Sequence, residues 1–140
     1  MILEEAFARL LADKGLGTFS LSDASGTIYL ITLPQSPDEC MAVATYAGVE
    51  SDSRLPYDEP NIQVRVRGTK DNAPSVKMRA QSVYDAIHGL GNYTLADGSV
   101  IQLAVGNQAG PIYIARDSLN RHEYTVNFRT EIWRPTVNRA

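Results

Sequence analysis

From Arg121 to Pro135 apolar and polar residues alternate one by one. Tyr124, Val126, Phe128 and Ile132 fall on even positions, and Glu123, Thr125, Asn127, Arg129 and Glu131 on odd ones. Between 124 and 132 only Thr130 breaks the apolar set. A period of two over this length predicts a β-strand with one apolar and one polar face. Residues 61–68 repeat the pattern, with Ile62, Val64 and Val66 on one face and Gln63, Arg65 and Arg67 on the other. Two such strands predict an open antiparallel sheet covered on one side, with a polar face left for another use.

Elsewhere the spacing changes. Leu3, Ala6, Phe7, Leu10 and Leu11 form a helical stripe, so residues 2–14 predict a helix with Glu4 and Glu5 at its positive end and Gly15 as its stop. Residues 15–26 predict a loop with a short extended piece. Thr27–Leu33 is apolar on both faces and rich in β-branched residues, which predicts a well-buried strand ended by Pro34. Glu39–Tyr46 predicts a second strand, and residues 48–60, with two prolines, a long loop or flexible hairpin. Val76, Ala80, Val83, Ile87 and Leu90 place one buried seam on a helix over Pro74–His88, closed by Gly89. A hairpin follows around Asp97-Gly98, then a strand over Pro111–Arg116 and a turn at 117–120. Runs of strands broken by one helix predict an α+β fold, a mainly antiparallel sheet with two helices packed on one face. The absence of βαβαβ alternation argues against a doubly wound nucleotide-binding sheet.

Composition narrows the function without naming it. At 140 residues the chain predicts one domain over 1–140, long enough to bury roughly 70% of its unfolded surface. A net charge of −3 argues against a general nucleic-acid binder. Cys40 is the only cysteine, which suits a reducing compartment and leaves no internal disulfide. The start MILEEAFARLL carries acids where a signal peptide carries bases, and no apolar run approaches membrane-spanning length, so a cytosolic origin and no membrane are expected. No phosphate-binding loop, dinucleotide fingerprint, zinc-protease, nucleophile-elbow or EF-hand motif is present. His88 at a helix end and His122 in a strand read as structural, and Cys40 as a small buried hydrophobe whose neighbours Asp38 and Glu39 would raise its pKa. Trp133 reads as a core-edge or interface anchor. No catalytic, cofactor-binding or metal residue is therefore assigned, and no cofactor is expected. Charge is uneven, however: residues 38–59 carry a balance of −5 and residues 61–79 one of +4. Such segments form either an internal pair or the two unlike halves of a head-to-tail interface.

Three segments in order carry a resemblance: LPQSPDECMAVATYAGVESD at 33–52, LPYDEPNIQVRVRG at 55–68 and ARDSLNRHEYTVNFRTEIWRP at 115–135. Together they resemble the minor capsid, or tail terminator, proteins of long-tailed bacteriophages. That family has a proline–aspartate segment leading into an alanine/valine strand, then a P-x-x-Q-V-x-V-R-G strand, and a closing R-D-x-x-x-R-x-x-x-x-x-N-F segment. One departure is Ile114-Ala115, where the family often has Leu-Gly, so the turn there is expected to differ.

The resemblance implies a structural virion protein without catalysis or cofactor. It implies a homohexameric ring that caps the tail tube, stops its polymerisation and joins the tail to the neck of the filled head. The implied partners are other copies of the chain, the major tail tube protein and a neck or head-completion protein; DNA passes through the ring without sequence-specific binding. The implied location is the tail–neck junction, after assembly in the host cytoplasm. Candidate assembly residues are Arg54, Leu55, Tyr57, Asp58, Glu59, Gln63, Arg65 and Arg67, with Asp58 and Glu59 expected to reach a neighbour's Arg65 or Arg67. Glu123, Asn127, Arg129 and Glu131 are expected to face a neighbour or the channel. Alternatives are a neck or head-completion adaptor and, from another class, a small cytosolic enzyme or ligand-binding domain using the acids near 38–59.

Overall fold

A computed structural model describes residues 1–21 and 26–140. Its elements in order are α1 (Leu3–Asp13), β1 (Ile28–Leu30), β2 (Cys40–Tyr46), β3 (Tyr57–Asp58), β4 (Asn61–Arg67), α2 (Ala73–Ile87), β5 (Tyr93–Thr94), β6 (Val100–Gly106), β7 (Ile112–Arg116) and β8 (His122–Trp133). The strands form one curled sheet in the order β1-β2-β4-β8-β6-β5, with β3 and β7 also paired to β8. All pairs are antiparallel except β1 with β2. The α+β class expected from the sequence is the observed one, with both helices in one core beneath the sheet.

β8 is bonded along both edges. On one side β4 pairs with 123–129, and β3 continues the ladder at Ile132 and Trp133. Pro60 separates the two, because proline has no N–H to donate. The break explains Thr130, the one polar residue in the apolar set. Its hydroxyl (2.7 Å) and its N–H (3.2 Å) both donate to the Pro60 carbonyl, and the side chain is fully buried. On the other side β6 pairs with 128–133 and β7 with 122–125. β6 and β7 thus run the same way along β8 and return through the 117–120 turn. There Asp117 accepts from the N–H groups of Leu119 and Arg121, and Asn120 takes the left-handed φ of 62°.

The even face of β8 makes the core. Val126 and Phe128 sit opposite Val64 and Ile62 of β4, which sit opposite Val43 and Thr45 of β2. Phe7, Leu10 and Leu11 of α1 and the Val76–Ala80–Val83–Ile87 seam of α2 close over this layer. α2 begins where the Asn72 side chain accepts from the Ser75 N–H, with Pro74 in its first turn. Gly98, at φ 89°, makes the expected hairpin turn between β5 and β6.

Three expectations need correction. The strand over Thr27–Leu33 shrinks to three residues, and Pro34 does not end it. Ile31 takes a left-handed φ of 72° and is 57% exposed, so the chain leaves the sheet edge before Thr32. The 48–60 stretch is not only a loop, since it contributes β3. Nor is the polar face open throughout. Cys40, Ala42, Arg67 and Thr125 on that side are buried, where Arg67 donates to the carbonyls of Asp38 (3.2 Å) and Pro37 (2.7 Å) and draws that segment inward. Within the expected 15–26 loop, residues 22–25 lie outside the described residues.

Phe128 is fully buried at the centre of the core. Phe128→Ala is expected to cost about 3–5 kcal/mol in urea unfolding; a loss under about 1 kcal/mol would show that the β8–α2 packing is wrong.

Candidate assembly surface

The outer face of the sheet is a grid set by register. Cys40, Arg67 and Glu123 form its first row; Ala42, Arg65 and Thr125 its second; Ala44, Gln63 and Asn127 its third; Tyr46, Asn61 and Arg129 its fourth. Beyond them lie Glu131 and the Tyr57–Trp133 pair. Small residues on β2 leave the middle of the grid to the long polar side chains of β4 and β8.

These side chains pair with one another. Arg65 meets Glu123 at 3.5 Å, and Arg129 holds both Glu59 (2.8 Å) and Glu131 (2.9 Å). Between the charges lies an amide row in which Gln63 donates to Asn127 (3.1 Å) and Asn127 to Gln108 (3.4 Å), while Asn107 donates to the Tyr46 hydroxyl (3.3 Å). Two cations against three carboxylates leave a nearly neutral, half-exposed wall. Pairs this exposed contribute roughly 0–1 kcal/mol each, so they set surface charge more than stability. Burial raises the Tyr57 phenol, and Glu131 and Glu59 beside it push the same way.

The 48–58 stretch is tied down from the far end of the chain. The Arg139 guanidinium grips the Asp58 carboxylate at 2.8 and 2.9 Å and also donates to the carbonyls of Leu55 (3.2 Å) and Tyr57 (3.5 Å). Ser51 donates to the same carboxylate, and Arg134 approaches it at 3.4 Å. Asp52 accepts from the N–H groups of Arg54 and Leu55, closing a tight turn that leaves Arg54 and Leu55 exposed.

The expected site residues therefore divide. Gln63, Arg65, Glu123, Asn127, Arg129 and Glu131 share one face, with Glu59 joining through Arg129. Arg67 lies on that face but is buried among carbonyls. Asp58 and Glu59 have arginine partners in their own chain, Arg139 and Arg129, with which a neighbour's Arg65 or Arg67 would have to share them. Of the acids of 38–59, Asp38 pairs with Arg121 (3.2 Å), Asp58 with Arg139 and Glu59 with Arg129, none with the basic 61–79 segment. The strand expected over Pro111–Arg116 is β7, but neither its exposed edge nor Arg139 was among the expected site residues. For Arg139 no local signal existed; for β7 the run Ile112-Tyr113-Ile114, apolar on successive residues, was the available clue.

Both histidines are held by contacts within the chain. His88 accepts from the Gly106 N–H (2.9 Å) and stacks on Tyr84; His122 lies between the Tyr113 hydroxyl (3.0 Å) and the Lys70 carbonyl (3.2 Å). Burial raises the Cys40 thiol; Arg67, Arg79 and Arg121 pull it down, a cationic surrounding that the neighbouring acids in sequence did not suggest. Among the described residues no group of three metal-ligating side chains is gathered, and no helix is long and apolar enough to cross a membrane.

The Arg139 grip holds the Asp58 carboxyl well below the usual carboxylate range. A depressed folded-state pKa stabilises the fold above the unfolded value near 4 and loses that stabilisation as pH falls through the folded one. Asp58→Asn is thus expected to lower stability at pH 7 and to flatten its decline below about pH 4, read by thermal melts across pH. Parallel curves for the two proteins would remove Asp58 from the acid response.

A family model described as "Bacteriophage tail terminator protein" matches residues 10–133. No curated protein sequence matches the chain.

Proposed function

This chain belongs to the bacteriophage tail terminator family, and we propose that it assembles as a ring of six copies that caps the tail tube, stops tube polymerisation and joins the tail to the neck. The family match over residues 10–133 carries this reading, and it favours a terminator over a neck adaptor or a small cytosolic enzyme. The role is structural, without catalysis or cofactor. The ring contacts the major tail tube protein on one side and a neck or head-completion protein on the other. It resides in the virion at the tail–neck junction after assembly in the host cytoplasm.

The outer sheet face lines the channel in this reading. DNA must move past the ring without sticking, and a basic wall would hold phosphates by releasing their counterions. The grid offers an amide row flanked by charges already paired within the chain, which supports a wall with little grip on DNA.

Two measurements check this. Added to tail tube protein under polymerising conditions, the chain is expected to shorten the tubes and to appear as density on one tube end in electron micrographs. Tubes of unchanged length with bare ends would overturn the capping role. Gln63→Lys with Asn127→Lys is expected to leave capping intact and slow DNA release from assembled particles. Unchanged release would remove this face from the channel.

A further inference from the structure

We infer that neighbouring copies join by strand addition, the free edge of β7 in one copy pairing with the exposed 48–51 segment of the next. The inference rests on the ring reading above and names the contact that closes it.

β7 is anomalous for a protein alone in water. Among the described residues its only ladder partner is β8, so its outer edge keeps unpaired main-chain N–H and C=O groups. All five of its residues are exposed, with Ile112, Tyr113 and Ile114 at 40, 45 and 45%. Edge strands are normally guarded by charge, proline or brevity, since an open apolar edge templates pairing with another chain. Here the guard is slight: a register shift at Ile114 and one cation, Arg116, at the strand end.

The complementary surface lies at the other end of β8. A groove of about 580 Å³ is bounded by Ile2, Tyr46 and Val49 on one side and by Asp58, Arg134 and Arg139 on the other. Ile2, Tyr46 and Val49 are 49, 42 and 68% exposed. Residues 48–51 along it form no main-chain to main-chain hydrogen bond with any described residue, and they are exposed. They are nonetheless held in shape. Gly48 passes so close to the Glu59 carbonyl that a Cβ would collide with it, and the Ser51–Asp58–Arg139 contacts fix the far end. A segment fixed at both ends costs little entropy to pair.

Charge agrees with this match. Arg116 on β7 and Glu50 on the receiving segment are both exposed, and neither has an ion-pair partner among the described residues. Because β7 pairs with residues 122–125 and the groove lies beside residue 134, the two surfaces stand on the order of 30 Å apart along β8. Two unlike surfaces this far apart meet in a two-fold dimer only when both contacts form at once between antiparallel copies. Where one contact forms per pair of copies they join head to tail, the geometry that closes into a ring when the rotation permits.

The test uses full-length chains and a short bismaleimide, with wild-type assembly on tail tubes as the reference. An equimolar mixture of Ile114→Cys and Val49→Cys proteins is expected to give crosslinked dimers. Either variant alone is expected to give none, Cys40 being buried. The doubly substituted protein is expected to give a ladder ending at the ring. Arg116→Glu and Glu50→Arg are each expected to reduce assembly, and their combination to restore it. Assemblies of wild-type mass without mixed crosslinks would overturn the strand-addition contact while leaving the terminator reading in place. Self-crosslinking of Ile114→Cys alone would overturn it in favour of a symmetric edge pair. Failure of the wild type to assemble or to bind tubes would overturn the ring reading and this contact with it.

Discussion

The hydrogen-bonding demand of β8 organises this molecule. A twelve-residue strand at the centre of a sheet must pair its main chain along both edges, because a buried unpaired N–H or C=O costs about 1–3 kcal/mol. No single neighbouring strand here is that long. Each edge is therefore served by two strands in series, β4 with β3 on one side and β6 with β7 on the other. The joins carry the irregularities of the fold. Pro60 interrupts one edge and Thr130 repairs the loss; residues 107–111 interrupt the other, where the Asn107 N–H donates to the Asn127 carbonyl at 2.9 Å. Because two of the serial strands are short and peripheral, the two ends of β8 differ in exposure and chemistry. That asymmetry separates the free β7 edge from the groove beside residue 134.

Electrostatics follow the same frame. Topology brings the C-terminal arginines back over the 48–60 stretch, so Asp58 and Glu59 are paired within the chain while Glu50, among the described residues, is not. Charges that look like interface charges in a linear reading become internal fastenings: Arg139 holds the receiving segment in shape, Arg121 and Arg67 hold the 35–38 segment, and Arg129 closes a pair of glutamates. In the proposed contact the main chain and apolar side chains dominate, with Arg116 and Glu50 as exposed charges at its two sides.

Much of this was legible in the chain itself, and for physical reasons. β4 and β8 have one buried face, so every second residue is under the same constraint and the alternation survives. α2 is readable because its seam touches only core and its ends carry Asn72, Pro74 and Gly89. The strand expected over Thr27–Leu33 failed because β1 is an edge with a single ladder partner among the described residues, and Ile31 could leave it after three residues. β3 was hidden because two residues between prolines carry no period. The outer face was legible as a set of residues but not as a set of partners: pairs such as Arg139 with Asp58 span most of the chain, and only the folded topology decides them.

Native mass spectrometry of the purified chain, alone and after incubation with tail tube protein, tests the central claim most directly. The proposed head-to-tail ring predicts one closed species of six copies as the end state. A protein that remains monomeric under both conditions, or stops at a two-fold dimer, would contradict it.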